Sequence, residues 1–145
     1  MAQVLLVYVT RSGHTREIAD LVAEGVRMAG HEAKVLEVGE IKAVHELEGY
    51  DAYAFGSPTY HGDMMAPMKT LLFLAEKADL KGRPGGAFGA FGWSGEAPQR
   101  IYDTMKNIFQ MDMVSDPLRL KSADLGGGVQ MAQDYGRQLA KKIGR

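Results

Sequence analysis

The sequence predicts an α/β protein built on a doubly wound, five-stranded parallel sheet with helices on both faces. Short apolar runs alternate with amphipathic segments along the 145 residues, and the first run, residues 3–9, is nearly continuous and rich in β-branched residues. Strands that alternate with helices pair in parallel, because each helix returns the chain to the same end of the sheet. We expect one domain spanning residues 1–145.

The elements follow one another in a regular order. Strands are predicted at residues 3–9, 32–38, 51–56, 86–91 and 113–120, the last as a single short strand. Apolar residues at helical spacing predict four helices, with their apolar faces at residues 18–29, 71–78, 101–109 and 132–143. Gly30 is placed to end the first helix, and Pro67 and Pro98 suit first turns, where a missing N–H costs nothing. The start of the last helix near residues 126–128 stays open.

Composition and charge exclude several classes of function. The formal net charge is −1 and no block of lysine or arginine is present, which argues against a nucleic-acid partner. The chain has no cysteine, so disulfides and thiolate metal sites are excluded. No apolar run approaches the roughly 18–20 residues that span a bilayer. The first residues lead straight into a strand and lack the pattern of a signal peptide, so we expect a cytoplasmic protein.

The loops at the carboxyl ends of strands one, three and four are the predicted site, since ligands of such sheets bind where the strand order reverses. The first loop, Thr10-Arg11-Ser12-Gly13-His14-Thr15, joins a strand to a helix. A helix start offers unpaired N–H groups and the positive end of the helix dipole, and hydroxyls add donors. This loop therefore predicts a phosphate cradle, although an ordinary strand–helix turn with hydroxyl caps has the same pattern.

The other two loops supply aromatic rings and glycines. The second runs from Ser57 to Asp63 and contains Tyr60, and the third, Phe91 to Glu96, contains the only tryptophan, Trp93. Glycines let a backbone approach a flat ligand closely. Two aromatic residues beside a phosphate cradle suit a planar ring on a phosphorylated tail, such as flavin mononucleotide (FMN). Trp93 and Tyr60 also have simpler interpretations, as a core or interface residue and as a cover for the sheet end.

The three loops together resemble those of the flavodoxins. Thr10–Thr15 matches that family's T-x-[ST]-G-x-T phosphate loop, and residues 88–93 are similar to the loop whose tryptophan stacks on the flavin in short-chain flavodoxins. Residues 56–59 and 92–97 resemble more closely the flavodoxin-like domain of flavodiiron proteins. The resemblance covers nearly the whole chain and implies the strand order 2-1-3-4-5. Unlike many flavodoxins, this chain is not strongly acidic, so its net charge gives little of their usual electrostatic steering of partners.

The resemblance implies a non-covalent FMN site with no catalytic residue and no metal. The expected cofactor-binding residues are Thr10, Arg11, Ser12, Gly13, His14 and Thr15; Ser57, Pro58, Thr59, Tyr60, His61 and Gly62; and Ala90, Phe91, Gly92, Trp93, Ser94 and Gly95. The first group would hold the phosphate, with the direction of the Arg11 side chain left open. Trp93 and Tyr60 would stack on the two ring faces. Backbone at residues 60–62 would meet flavin N5, where Gly62 would permit a peptide flip that stabilises the semiquinone.

The implied function is one-electron transfer between redox proteins through the semiquinone and hydroquinone states of FMN. The implied partners are ferredoxin, rubredoxin or flavin-dependent oxidoreductases, for a monomer or weak dimer without nucleic-acid or membrane partners. One alternative is an NAD(P)H-dependent FMN or quinone reductase on the same fold. Another is the flavin subunit of a split flavodiiron-type system, since the chain lacks the histidine-rich cluster of a diiron domain. A flavin-free interaction module is a third alternative.

Overall fold

The structure, a computed structural model, describes residues 2–92, 94–121 and 127–143. Its strands in chain order are β1 (Gln3–Tyr8), β2 (Glu32–Glu37), β3 (Ala52–Gly56), β4 (Thr59–Tyr60), β5 (Asp63–Met64), β6 (Pro84–Ala90), β7 (Asp112–Met113) and β8 (Leu118–Leu120). The main sheet is parallel in the order β2-β1-β3-β6, and β7 and β8 both pair with the free side of β6. The predicted fold class and strand order 2-1-3-4-5 are confirmed.

Four helices cover the two faces of the sheet: α1 (His14–Met28), α2 (Ala66–Glu76), α3 (Glu96–Asp103) and α4 (Gly128–Ile143). Successive side chains of a strand point to opposite faces, and β1 divides accordingly. Val4 and Leu6 pack with α1 and α4, whereas Leu5 and Val7 pack with α2 and α3. Pro67 and Pro98 lie in first turns as predicted. None of the described helices combines the length and apolarity needed to cross a membrane.

The fifth strand departs from the prediction. In place of one strand over residues 113–120, β7 and β8 are separated by residues 114–117, and Pro117 has no N–H to donate to a ladder. Opposite this gap, the buried hydroxyl of Tyr135 in α4 accepts a hydrogen bond from Ala87 N (3.0 Å) and donates one to Ala87 O (3.2 Å). A side chain therefore satisfies the backbone of β6 where the neighbouring strand is interrupted.

The end of α3 also differs from a regular helix. Residues Thr104–Ile108 form a π-helical turn, in which Phe109 N donates to Thr104 O. Helical spacing predicts both Ile108 and Phe109 on the buried face. The wider turn changes the angular position of each residue, and Ile108 is 59% exposed while Phe109 stays buried. The prediction for Ile108 was therefore wrong.

Two glycines bring α1 and α4 into backbone contact. A Cβ on Gly25 would collide with the carbonyl oxygen of Gln133, and a Cβ on Gly136 would collide with that of Val22. Neither collision can be relieved by a side-chain rotation, because the atoms struck belong to the backbone. Residues at these two positions thus set how closely the helices approach.

We expect Gly136→Ala to destabilise the protein by about 1–3 kcal/mol, since the added methyl group pushes α4 away from α1. The better helix propensity of alanine offsets only part of this. Equilibrium unfolding in urea measures the effect. Gly39→Ala is the control, because an added Cβ there meets nothing closer than 3.8 Å. Equal stability of the two variants would contradict the role given to Gly136.

Tyr135→Phe should cost about 1–3 kcal/mol, because it leaves the N–H and C=O of Ala87 buried without their partner. Tyr50→Phe is a matched control, since its hydroxyl makes no hydrogen bond within the described residues. Urea unfolding of both variants decides the point. A loss for Tyr50→Phe as large as for Tyr135→Phe would show that the two hydrogen bonds to Ala87 do not account for the effect.

The same tyrosine predicts a fall in stability at alkaline pH. Burial raises the pKa of Tyr135 well above the 10.0 of an unperturbed tyrosine. The contribution of the protonated Tyr135 hydroxyl to the free energy of unfolding is fully present below pH 10. It is lost as the pH rises further, because Tyr135 releases its proton in the unfolded state first. Unfolding measured between pH 9 and 11 should show this loss, and Tyr135→Phe should reduce its slope. Part of the slope stays, because burial also raises the pKa of Tyr53.

Candidate functional site

The loop between β1 and α1 presents open backbone donors. Gly13 has φ +92°, a conformation that favours glycine, and its N–H donates to the Thr10 hydroxyl at 3.0 Å. Among the residues that the structure describes, the N–H groups of Ser12, His14 and Thr15 find no acceptor. They stand at the positive end of the α1 dipole. This arrangement suits an anion such as a phosphate.

Thr15 connects this first loop to the carboxyl end of β6. Its side chain is buried, and its Oγ1 accepts a hydrogen bond from Ala90 N at 3.3 Å. The hydroxyl proton is left to donate to a further acceptor. The predicted first and third loops are therefore in contact, with the side chains of Ser12 and His14 exposed beside them.

The second loop is a β-hairpin that the sequence analysis did not predict. β4 and β5 pair antiparallel around the two residues His61 and Gly62. Both have positive φ, 51° and 74°, which defines a type I′ turn. The signal was present in the His-Gly pair, because two-residue hairpins favour asparagine or aspartate followed by glycine at this place.

Four contacts hold the hairpin to the helices around it. The Thr59 hydroxyl accepts a hydrogen bond from Ala97 N at 3.0 Å, near the start of α3. Arg100 Nε donates to Gly62 O at 3.2 Å and lies 3.8 Å from Asp63. Lys69 of α2 forms an ion pair with Asp63 and lowers the pKa of that carboxyl. The hairpin tip is therefore fixed to both α2 and α3.

These contacts bear on the peptide flip predicted at Gly62. The Gly62 carbonyl is already engaged by Arg100, so a flip of the peptide that follows would break this hydrogen bond. A flip of the peptide between His61 and Gly62 would leave His61 at positive φ in a region that glycine alone tolerates well. The flip stays a prediction. It would require either the loss of the hydrogen bond from Arg100 or an unfavourable backbone conformation at His61.

Tyr60 is 45% exposed and carries an arginine on its ring. The guanidinium carbon of Arg11 lies 4.4 Å from the ring centroid, and the His61 ring meets the tyrosine at 4.4 Å with an interplanar angle of 69°. The direction of Arg11, which the sequence left open, is thus toward Tyr60. Arg11, Tyr60 and His61 form one exposed cluster between the first and second loops.

The Ser57 hydroxyl makes structural hydrogen bonds beside this cluster. It is fully buried, and its Oγ accepts from Met65 N at 3.0 Å and donates to Pro58 O at 2.9 Å. The hydroxyl therefore closes the base of the hairpin at the start of α2. Ser57 and Pro58 stay predicted cofactor neighbours, although the serine hydroxyl and the Ser57 N–H, which donates to Phe88 O, are already engaged.

The third loop leads from β6 into α3. Phe91 N donates to Leu120 O at 3.0 Å, which ties the start of the loop to β8. Gly95 precedes the first residue of α3, Glu96, whose pKa is lowered chiefly by a hydrogen bond from Ser94. Oxygen Oε1 of Glu96 is shielded from solvent and has no hydrogen-bond partner in the described ranges. Trp93, the predicted stacking residue, lies outside the described residues.

The structure thus brings the three predicted loops to one edge of the sheet. Open N–H donors stand next to an exposed aromatic ring, and Thr15 and Thr59 link the first and second loops to the residues on either side of the third, Ala90 and Ala97. This donor set fits the phosphate of a flavin nucleotide beside its ring. Within the described ranges, no group of three or more histidine or acidic side chains is placed to hold a metal ion.

Comparisons with known proteins agree with this geometry. A family model described as "Flavodoxin domain" matches residues 5–133. A Type A flavoprotein of Rhodobacter capsulatus is 31% identical over 96% of this chain, which spans 33% of that protein's length. A probable flavodoxin of Bacillus subtilis is 29% identical, with 99% of this chain and 98% of that protein covered. The structure of a flavodoxin from the domain Archaea superposes with a TM-score of 0.92 at 28% identity, covering 99% of both chains.

Thr59→Ala should cost about 1 kcal/mol of stability, because Ala97 N at the start of α3 loses its acceptor. Amide exchange at Ala97 and at the hairpin should accelerate along with it. Thr70→Ala provides the comparison, since the Thr70 hydroxyl is exposed and only donates to Ala66 O within α2. Unchanged amide exchange at Ala97 would contradict the role given to the hydrogen bond between Ala97 N and the Thr59 hydroxyl.

Proposed function

The chain belongs to the flavodoxin family, and we propose that this flavoprotein binds FMN non-covalently and carries electrons singly between redox proteins. The observation that carries the proposal is the set of open N–H donors of Ser12, His14 and Thr15 at the start of α1. A phosphate there gains hydrogen bonds and the favourable end of the helix dipole together. Riboflavin, which has no phosphate, gains neither.

Each loop has its own part in the proposed site. The first loop holds the phosphate, and the Thr15 hydroxyl, which already accepts from Ala90 N, has its proton to donate. Tyr60 offers an exposed ring for stacking, on a hairpin fixed to α2 and α3. We assign the opposite ring face to Trp93 and the polar edge of the ring to backbone of residues 90–95, apart from the N–H groups of Ala90 and Phe91, which already donate to Thr15 Oγ1 and Leu120 O. FMN, when bound, supplies the redox chemistry, and the protein sets its potentials.

The partners are proposed to be small redox proteins such as ferredoxin or rubredoxin, or flavin-dependent oxidoreductases. The near-neutral net charge of −1 gives little long-range attraction for a strongly basic partner. A second candidate function, the flavin part of a flavodiiron-type system, draws on one specific observation. The chain spans only 33% of the length of the Type A flavoprotein and 24% of that of a putative diflavin flavoprotein of Synechocystis.

Titration with FMN and with riboflavin tests the phosphate site. We expect FMN to bind at least about tenfold more tightly, since the phosphate adds charge-assisted hydrogen bonds. Gly13→Ala should reduce this ratio, because φ +92° strains any other residue and displaces the N–H groups. Gly49→Ala is the matched control: Gly49 has φ +88° and, like Gly13, no atom within 4 Å of an added Cβ. It should lose comparable stability and keep the FMN preference.

Anaerobic reduction distinguishes the carrier from the reductase. A carrier takes up electrons from a photochemical donor in two resolved one-electron steps and does not turn over NAD(P)H. Rapid reduction by NAD(P)H with turnover of a quinone would favour the reductase instead. Failure to bind either flavin would rule out both functions.

A further inference from the structure

We propose that Arg11 acts on a bound flavin through Tyr60, as a positioning residue that holds this ring and places a positive charge behind it. The inference rests on the proposed function, because it takes the flavin ring to lie against Tyr60. It assigns to an arginine of the phosphate loop a role directed away from the phosphate. The contact that carries it joins two loops that follow different strands.

The geometry of this contact is that of a cation–π pair. The guanidinium carbon of Arg11 lies 4.4 Å from the Tyr60 centroid, inside the roughly 6 Å over which such pairs attract. The His61 ring also contacts the tyrosine, with the two ring centroids 4.4 Å apart. An exposed tyrosine on a two-residue hairpin is otherwise free to rotate about its side-chain bonds. Arg11 and His61 together restrict it, which lowers the entropy lost when a ligand stacks on it.

The strand order indicates which side of Tyr60 the arginine occupies. β3 lies between β1 and β6 in the sheet. Arg11 follows β1 and Tyr60 follows β3, so the arginine approaches from the β1 side. The third loop follows β6 on the other side. We infer that Arg11 covers the β1-facing side of the ring and leaves the side toward the third loop open for the flavin.

Two consequences follow for a flavin stacked on the open side. The first is tighter binding, because the stacking ring is already in place. The second is electrostatic, because the guanidinium group places a positive charge near the flavin ring. A nearby positive charge favours the reduced flavin over the oxidised one, because the fully reduced ring becomes negative near neutral pH. Since Arg11 is exposed, added salt screens this second effect.

The test compares Arg11→Gln and Arg11→Lys, each in the wild-type and in a Tyr60→Leu background. FMN affinity and both one-electron midpoint potentials are measured at low and at high salt. Arg11→Gln should weaken FMN binding about two- to fivefold, as expected for an exposed cation–π pair. It should also make the second midpoint potential more negative, by an amount that shrinks in high salt. Arg11→Lys should restore the potential more fully than the affinity, since lysine keeps the charge and loses the planar stack.

The double variants and one control decide the outcome. With Tyr60→Leu, Arg11→Gln should have no further effect on affinity. Arg16→Gln is the control for general charge, because Arg16 is also exposed near the start of α1 and lies 3.9 Å from Asp20. Tighter FMN binding by Arg11→Gln would overturn the inference, since the arginine would then compete for the ring face. The inference would also be overturned if Arg11→Gln weakened FMN binding equally in the wild-type and Tyr60→Leu backgrounds. The same holds if Arg16→Gln changed the affinity and the potentials as much as Arg11→Gln.

Failure of the inference is distinguishable from failure of the proposed function. If the wild-type protein binds FMN and Arg11→Gln leaves both affinity and potentials unchanged, only the role of Arg11 is lost. If the wild-type protein binds no FMN, the proposed function fails and the inference fails with it.

Discussion

The close packing of α1 against α4 is the constraint on which the site depends. Gly25 and Gly136 allow the two helices to meet backbone to backbone, and this contact sets where α1 lies relative to α4 on the face of the sheet that they share. The start of the same helix carries the open N–H groups. Because α1 lies close to the sheet, Thr15 reaches Ala90 at the end of β6. Packing of glycines far from the site therefore helps to position the helix whose start carries the open N–H groups.

The hairpin at residues 59–64 is positioned by a different kind of interaction. Its ion pairs are partly exposed, and pairs of this kind contribute little on their own. The shape of the type I′ turn and the link from Thr59 to Ala97 are stronger constraints, because each has few alternatives. The result is an aromatic ring held at a fixed height above the sheet edge, on a short and well-supported loop.

Much of this arrangement could be predicted from local patterns. A strand followed by Gly13 and a helix predicts the anion loop, and Pro67 and Pro98 predict two helix starts, because each depends only on residues next to one another. The hairpin was missed because β4 and β5 have two residues each, too few for a period to be visible. The direction of Arg11 and the burial of Ser57 depend on loops that meet only in the folded chain.

The interruption of the fifth strand is another feature that depends on residues far apart in the sequence. Nothing near Asp116 and Pro117 in the sequence indicates that Tyr135, on the last helix, completes the hydrogen bonding of β6. Since Tyr135 already bonds the N–H and C=O of Ala87, no residue between β7 and β8 is needed to pair with β6 at this point. Residues 115–117 can therefore lengthen or change their path without leaving the sheet unpaired, while Val114 N donates to Gly85 O. The edge of the sheet is thus a place where related chains can acquire new loops while keeping the same core and the same site.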